Sequence, residues 1–169
     1  KLSEPLSDPV TVQPSISGKW IWESDTLLRF SPETDWLPDT EYKVSLPESA
    51  FNPQVKIKKR RFSFASPVFG GKTESEAFYE DPRNVKNKSA VAAFRFNYPL
   101  DAEELEKHVS VKSVGGRKYN FKLKLDEADT VLHVVSEPLP IGAEDDFVKI
   151  VLSGVRNAYN RKALPDDLT

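Results

Sequence analysis

The sequence predicts an all-β chain folded as two tandem antiparallel β-sandwiches. Three observations carry this reading. Segments of the first half recur in the same order in the second; apolar residues alternate with polar ones; and thirteen prolines stand against seven glycines. Proline punctuation stiffens turns between short elements and works against helix interiors. Alternation of period two puts every second side chain on one face of a sheet. A repeat of near-domain length means two copies of one plan.

Taken in order, the first copy reads Pro5-Leu6, Val10-Thr11-Val12, Gly18-Lys19-Trp20, Thr26-Leu27-Leu28-Arg29-Phe30, Leu37-Pro38 and Tyr42-Lys43-Val44-Ser45-Leu46. The second reads Pro99-Leu100, Val109-Ser110-Val111, Gly116-Arg117-Lys118-Tyr119, Thr130-Val131-Leu132-His133-Val134, Leu139-Pro140 and Val148-Lys149-Ile150-Val151-Leu152. The offset grows from 94 residues at Pro5/Pro99 to 106 at Tyr42/Val148, as loops of unequal length would make it. On this alignment Trp20 matches Tyr119, and Arg29 matches His133.

Each matched segment has strand character. Trp20 and Trp22 share a face, as do Leu28 and Phe30, with Arg29 opposite. Tyr119, Phe121, Leu123 and Leu125 alternate with Asn120, Lys122 and Lys124, the pattern of a half-buried antiparallel strand. Ala90, Ala92, Phe94 and Phe96 form another such set. The predicted core includes Leu28, Phe30, Val44, Leu132, Val134 and Ile150. Short strands between Pro, Gly, Asp and Asn clusters fit immunoglobulin-like sandwiches. One short helix of about two turns is expected from Asp101 to Lys107, with Asp101 as cap and Glu104 completing a capping box.

The domain boundary falls near Ser66-Pro67-Val68-Phe69-Gly70-Gly71, giving domains 1–67 and 68–169. Thr73 to Tyr79 is expected to open the second domain, Asp81-Pro82 to end that strand, and Arg83 to Lys88 to loop back to Ser89. From Gly154 to Thr169 the chain turns polar, as a segment leading into a further domain would. The first sandwich is expected to be truncated at its N-terminus. Phe94-Arg95-Phe96 leads into Pro99-Leu100, whereas only Lys1 to Glu4 precede Pro5-Leu6, too few for a strand of about 5–6 residues. An unpaired sheet edge should result. Position 1 is not methionine, so the chain reads as an excised or processed piece.

Composition narrows the function. With 38% apolar and 30% charged residues the chain is ordinary globular material. A net charge of −2 supplies no field for nucleic acid or anionic membrane. Without cysteine there is no disulfide, thiolate nucleophile or thiolate metal site. No apolar run approaches the ~20 residues of a membrane span.

No catalytic, cofactor-binding or metal-ligating residue is assigned. Lys56-Ile57-Lys58-Lys59-Arg60-Arg61 could form an anion patch. It reads better as an amphipathic edge strand, where lysines resist sideways aggregation, with a bulge before Phe62 and Phe64 to restore register. His108 and His133 are far apart in sequence and read as surface or rim residues. Glu103-Glu104, Asp145-Asp146 and Asp166-Asp167 lack the spaced ligands of a calcium loop. Trp20, Trp22 and Trp36 could stack on a sugar if exposed, but the repeat favours packing. The chain is therefore read as non-enzymatic, without cofactor.

Gly18-Lys19-Trp20-Ile21-Trp22, Leu27-Leu28-Arg29-Phe30-Ser31-Pro32 and Trp36-Leu37-Pro38-Asp39-Thr40-Glu41-Tyr42-Lys43-Val44 resemble the N-terminal domains of bacterial alpha-2-macroglobulins, with their G-x-W-x-W, L-x-F-x-P and L-P-x-T-x-Y-x-V progression. Ala93-Phe94-Arg95-Phe96-Asn97-Tyr98-Pro99-Leu100-Asp101, Leu105 to Val111 and Ser136-Glu137-Pro138-Leu139-Pro140 resemble the domain that follows. The resemblance implies macroglobulin-like sandwiches from a periplasmic, often lipid-anchored, or secreted protease inhibitor. Such proteins trap attacking proteases by a conformational change after bait cleavage, many of them through a Cys-x-Glu-Gln thioester. That thioester has no place in a chain without cysteine, and no bait region is identified. The implied partners are attacking proteases, met through the full-length protein, and neighbouring macroglobulin-like domains. No nucleic acid is implied, and membrane only through a lipid anchor outside these residues. The alternative is a tandem immunoglobulin-like module of a bacterial surface adhesin or glycan-binding protein, which would share the fold.

Overall fold

The computed structural model describes residues 10–24, 26–51, 56–82, 84–139 and 147–169. Pro5, Leu6, Arg83, Pro140, Asp145 and Asp146, which figure in the expectations above, lie outside the described residues. The chain divides into two compact units, Lys1–Val68 and Phe69–Thr169. Both are built from antiparallel strands in immunoglobulin-like sandwiches, and the fold is all-β.

In the first unit the strands are β1 (Thr11–Gln13), β2 (Gly18–Ser24), β3 (Leu27–Pro32), β4 (Glu41–Ser45) and β5 (Arg61–Ala65). They form a three-stranded sheet, β1-β4-β5, and a two-stranded sheet, β2-β3. Gly18 is required at the start of β2. A Cβ there would stand 2.4 Å from Phe30 Cζ and 2.6 Å from the Ser31 carbonyl oxygen. Ring contacts run from Trp20 through Phe30 and Trp36 to Tyr42 and Phe64, with centroids 4.6–5.8 Å apart. This aromatic series is what joins the two sheets.

The second unit contains β6 (Gly71–Asp81), β7 (Asn84–Phe96), β8 (Val109–Ser113), β9 (Lys118–Tyr119), β10 (Phe121–Leu125), β11 (Val131–Ser136) and β12 (Val148–Leu152). One sheet has the order β10-β11-β7-β6 and the other β12-β8-β9. Phe94, Leu100, Val111, Leu132, Val134, Leu152 and Val155 sit at its centre with at most 1% exposure. Burying each such side chain contributes roughly 1.5–3 kcal/mol. The unit closes on itself: Gly71 packs so tightly that a Cβ would lie 2.6 Å from the Phe96 ring and 2.9 Å from Leu168. Nearby, the Thr73 hydroxyl donates to the Thr169 carbonyl at 3.3 Å.

The internal repeat is written in the strand pairing. Val12 faces Val44 across β1-β4, and Val111 faces Ile150 across β8-β12. Trp22 faces Leu28 across β2-β3, and Leu125 faces Leu132 across β10-β11. The Leu46 N–H donates to Arg60 O at 2.8 Å, and its counterpart Leu152 donates to Leu168 O at 2.9 Å. One match fails. Trp20 pairs with Phe30 and therefore corresponds to Leu123, which pairs with Val134; Tyr119 pairs instead with Val111 in the opposite sheet. A short crossing from β9 to β10 moves the chain between sheets, and alternation alone does not reveal such a move.

Burial divides the six predicted core residues. Leu132, Val134 and Ile150 are buried, whereas Leu28, Phe30 and Val44 are only half-buried. For Leu28 and Phe30 the strand pairing differs as well: β11 pairs with both β10 and β7, while among the described residues β3 pairs with β2 alone.

Four local expectations are corrected. From Asp101 to Lys107 there is no two-turn α-helix but a turn and a 3-10 helix, Leu105–His108. Asp101 does accept the Glu103 N–H at 3.0 Å, but Glu104 adopts φ 61°, which breaks α-helical propagation. Asn84 to Lys88 is strand rather than loop, so β6 and β7 form one long hairpin. Lys56 to Arg60 precede β5 instead of forming a strand; only Arg61 lies within it. Lastly, Gly154 to Thr169 belongs to the second unit. Val155 and Asn157 are fully buried there, and Leu100 bridges to Asn157 and Leu152 to Leu168.

Candidate functional site

The motif residues of the first unit form a structural corner. Pro38 is buried and Asp39 turns through φ 46°. Thr40 Oγ1 donates back to the Pro38 carbonyl at 2.9 Å. Tyr42, 1% exposed, brings its hydroxyl to the Leu37 N–H, which donates to it at 3.0 Å. A tyrosine hydroxyl bonded to backbone a few residues upstream is a known fastener of immunoglobulin-like sandwiches. Ser66 completes the corner from a distance, its Oγ accepting the Thr40 N–H at 3.0 Å. Leu37-Pro38-x-Thr40-x-Tyr42 stands out in the sequence as a motif, whereas Ser66 does so only as part of the domain boundary. No local pattern signals a partner 26 residues away.

A cluster of charged side chains lies in the second unit. A cavity of about 180 Å³ is lined by Asp101, Glu103, Glu104, Lys107, His108, Arg156 and Arg161. Arg161 bonds Asp101 at 2.7 Å and also Glu103, while Lys107 pairs with Glu104. Burial pushes the Asp101 carboxyl up, but the Glu103 N–H and the Arg161 guanidinium outweigh it and hold the group below its ordinary range. Asn157 shapes this region: its amide donates to Asn160 Oδ1 and Lys162 O, both at 2.9 Å, and its Oδ1 accepts the N–H groups of Tyr159 and Asn160. Opposite charges here satisfy one another at the surface. That arrangement holds a loop and leaves no carboxylate poised for proton transfer.

The remaining candidates are scattered. His108 is half-buried with Nδ1 2.9 Å from Ser153 O, so that nitrogen carries the proton. His133 is exposed on β11, opposite Lys124 and Ala93. Arg60 bonds Glu48 at 2.8 Å, and Lys59 lies 5.3 Å from the Phe62 ring centroid. Asp166 and Asp167 are exposed near the end of the chain. Trp20, Trp22 and Trp36 are half-buried and engaged with Phe30, Phe51, Tyr42 and Phe64. Among the described residues, no three His, Asp or Glu side chains gather as metal ligands would.

What remains is a pair of immunoglobulin-like domains whose polar side chains fasten corners and loops. No protein-family model and no solved structure matches the chain. Curated relatives do. Alpha-2-macroglobulin of Pasteurella multocida is 28% identical over 157 residues, covering 86% of this chain and 8% of that protein. An alpha-2-macroglobulin homolog of Yersinia pestis is 26% identical over 144 residues, covering 82% of this chain and 7% of its own length. Alpha-2-macroglobulin of Rickettsia conorii is 22% identical over 148 residues, 87% of this chain and 8% of that protein. All three of these similar proteins carry the name alpha-2-macroglobulin, the family that the motif progression resembles. The chain spans only 7–8% of the length of these relatives.

Proposed function

We propose that these two domains are a non-catalytic scaffold fragment of a bacterial alpha-2-macroglobulin-like protease inhibitor, working in the periplasm or outside the cell. The observation that carries this reading is co-linear similarity across both domains to three proteins bearing that name. Structure is consistent with a scaffold role: buried polar groups such as Ser66 and Asn157 hold backbone, and the charged cluster around Arg161 is internally paired. On this reading proteases meet the full-length protein, neighbouring macroglobulin-like domains meet this fragment, and any lipid anchor lies elsewhere.

The test uses the full-length parent protein mixed with trypsin. Trapping predicts that cleavage of casein falls while cleavage of a small chromogenic peptide persists, because a caged protease stays active toward substrates that diffuse in. Undiminished casein cleavage at excess inhibitor would overturn the reading.

A further inference from the structure

We propose that the basic run Lys56 to Arg61, centred on Arg60, is a binding site for carboxylate groups, and that its occupant is a short acidic stretch of polypeptide. The inference rests on the surroundings of Arg60 and stands whether or not the parent protein traps proteases.

Five of these six residues are cations. Their alternation suggests an edge strand, on which lysines would guard against sideways pairing. The structure removes that explanation. The chain is irregular from Lys56 to Arg60, with a bend at Lys58, and strand begins only at Arg61. The charges are gathered instead in the connection that leads into β5. Lys56, Lys58, Lys59 and Arg61 are exposed, and Arg60 is half-buried. Among the described residues, Glu48 is the one carboxylate paired with the run. Lys59 rests over the Phe62 ring, while Lys56, Lys58 and Arg61 make no ion pair with any described residue.

Arg60 supplies the geometry. Its carbonyl accepts the Leu46 N–H at 2.8 Å, which fixes its backbone just past the end of β4. One arm of the guanidinium, Nη2, donates to Glu48 Oε1 at 2.8 Å. The other, Nη1, is enclosed by protein and bonded to no described residue. A buried donor left without an acceptor costs about 1–3 kcal/mol, and more when it is charged. A guanidinium is a planar fork matched to the two oxygens of a carboxylate, yet Glu48 takes only one arm. The Glu48 side chain is 89% exposed, so its pairing is weak and readily displaced. An incoming carboxylate in its place spans both arms, and the exposed lysines beside Arg60 take the next carboxylates of the same segment. Length decides against nucleic acid. The chain as a whole carries a net charge of −2, so a long polyanion is repelled beyond the run, whereas a peptide with a few carboxylates spans the run alone.

The probe is a fluorescently labelled hexaglutamate peptide, added to the 169-residue chain at low salt and followed by anisotropy. Binding is expected to be saturable. Arg60→Lys keeps the charge and removes the fork, and should weaken binding about tenfold, the loss of one charge-assisted hydrogen bond. Replacing Lys56 and Lys58 together by Gln should weaken it about threefold. Replacing Lys122 and Lys124 by Gln removes the same charge from exposed positions on β10 and should change binding by less than about twofold. Absence of saturable binding, or undiminished binding by Arg60→Lys, would overturn the proposal. So would equal weakening by the two lysine pairs, because net charge alone would then explain the attraction. Should Arg60→Lys lose the circular dichroism of the parent chain, the comparison of the two lysine pairs decides by itself. Tighter binding of labelled hexathymidylate than of hexaglutamate would also overturn the proposal, because the occupant would then be nucleic acid.

Discussion

Single residues in this molecule act mainly on backbone. Tyr42 is the clearest case, because its buried hydroxyl gives the Leu37 N–H an acceptor. Tyr42→Phe keeps the ring contacts with Trp36 and Phe64 and removes only that bond. It should destabilise the first unit by about 1 kcal/mol, read from urea unfolding followed by tryptophan emission. Asp126 does comparable work in the second unit, accepting the N–H groups of Thr130 at 2.7 Å and Val131 at 2.9 Å. The bond from the Val131 N–H, helped by Thr130, outweighs desolvation and holds this carboxyl below its ordinary range. A carboxyl with a lower pKa in the folded state adds stability above its unfolded value, and that stability is lost as pH falls through the folded value. Asp126→Asn should therefore flatten the fall in melting temperature between pH 5 and pH 2, tracked by circular dichroism. A slope unchanged from the parent chain would refute the assignment. Tyr42 is legible in the sequence as part of a motif, whereas nothing in the sequence singles out Asp126. The capping role of Asp101 was legible too, but the helix it should begin is cut short by the left-handed Glu104.

Elements were legible where one face is buried and the other wet. Phe121 to Leu125 alternates as expected, and the matched strands pair in the same manner in both units. Legibility failed where tertiary context decides. The basic run alternates as a strand would, yet β5 begins only at Arg61. The order of repeated segments matches Trp20 with Tyr119, although they sit in opposite sheets of their units. Burial was least legible of all, since it depends on strands elsewhere in the chain. Matched substitutions measure that dependence. Leu132→Ala removes a fully buried side chain and should cost about 2–5 kcal/mol. Leu28→Ala, at the corresponding half-buried position, should cost about 1 kcal/mol. Equal costs would contradict the difference in packing. Gly18→Ala adds a methyl group where Phe30 and Ser31 already stand within 2.7 Å, and should destabilise the β2-β3 hairpin by about 1–3 kcal/mol. Tryptophan emission during unfolding reads that change directly.

At the scale of the whole molecule, charge argues for indifference to nucleic acid. Twenty-four basic and 26 acidic residues leave a net charge of −2, and the basic run is partly neutralised by Glu48. Fluorescence anisotropy with duplex DNA at physiological salt should show binding no tighter than ~10⁻⁶ M. Tighter, salt-sensitive binding would mean that the Lys56 to Arg61 segment recognises nucleic acid after all.

The contact that seals the second unit has a consequence for how its polypeptide can be cut and joined. Gly71 lies beside Leu168, and Thr73 is bonded to Thr169. The start of β6 and residues 168–169 therefore lie side by side. Adjacent termini are the condition for circular permutation. A permutant that joins Thr169 to Phe69 through a short flexible linker, and opens at the exposed Gly115-Gly116 turn, is expected to keep the β-sheet circular dichroism of the parent. By the same geometry, the unit could be inserted into a surface loop of another protein while displacing the host backbone very little.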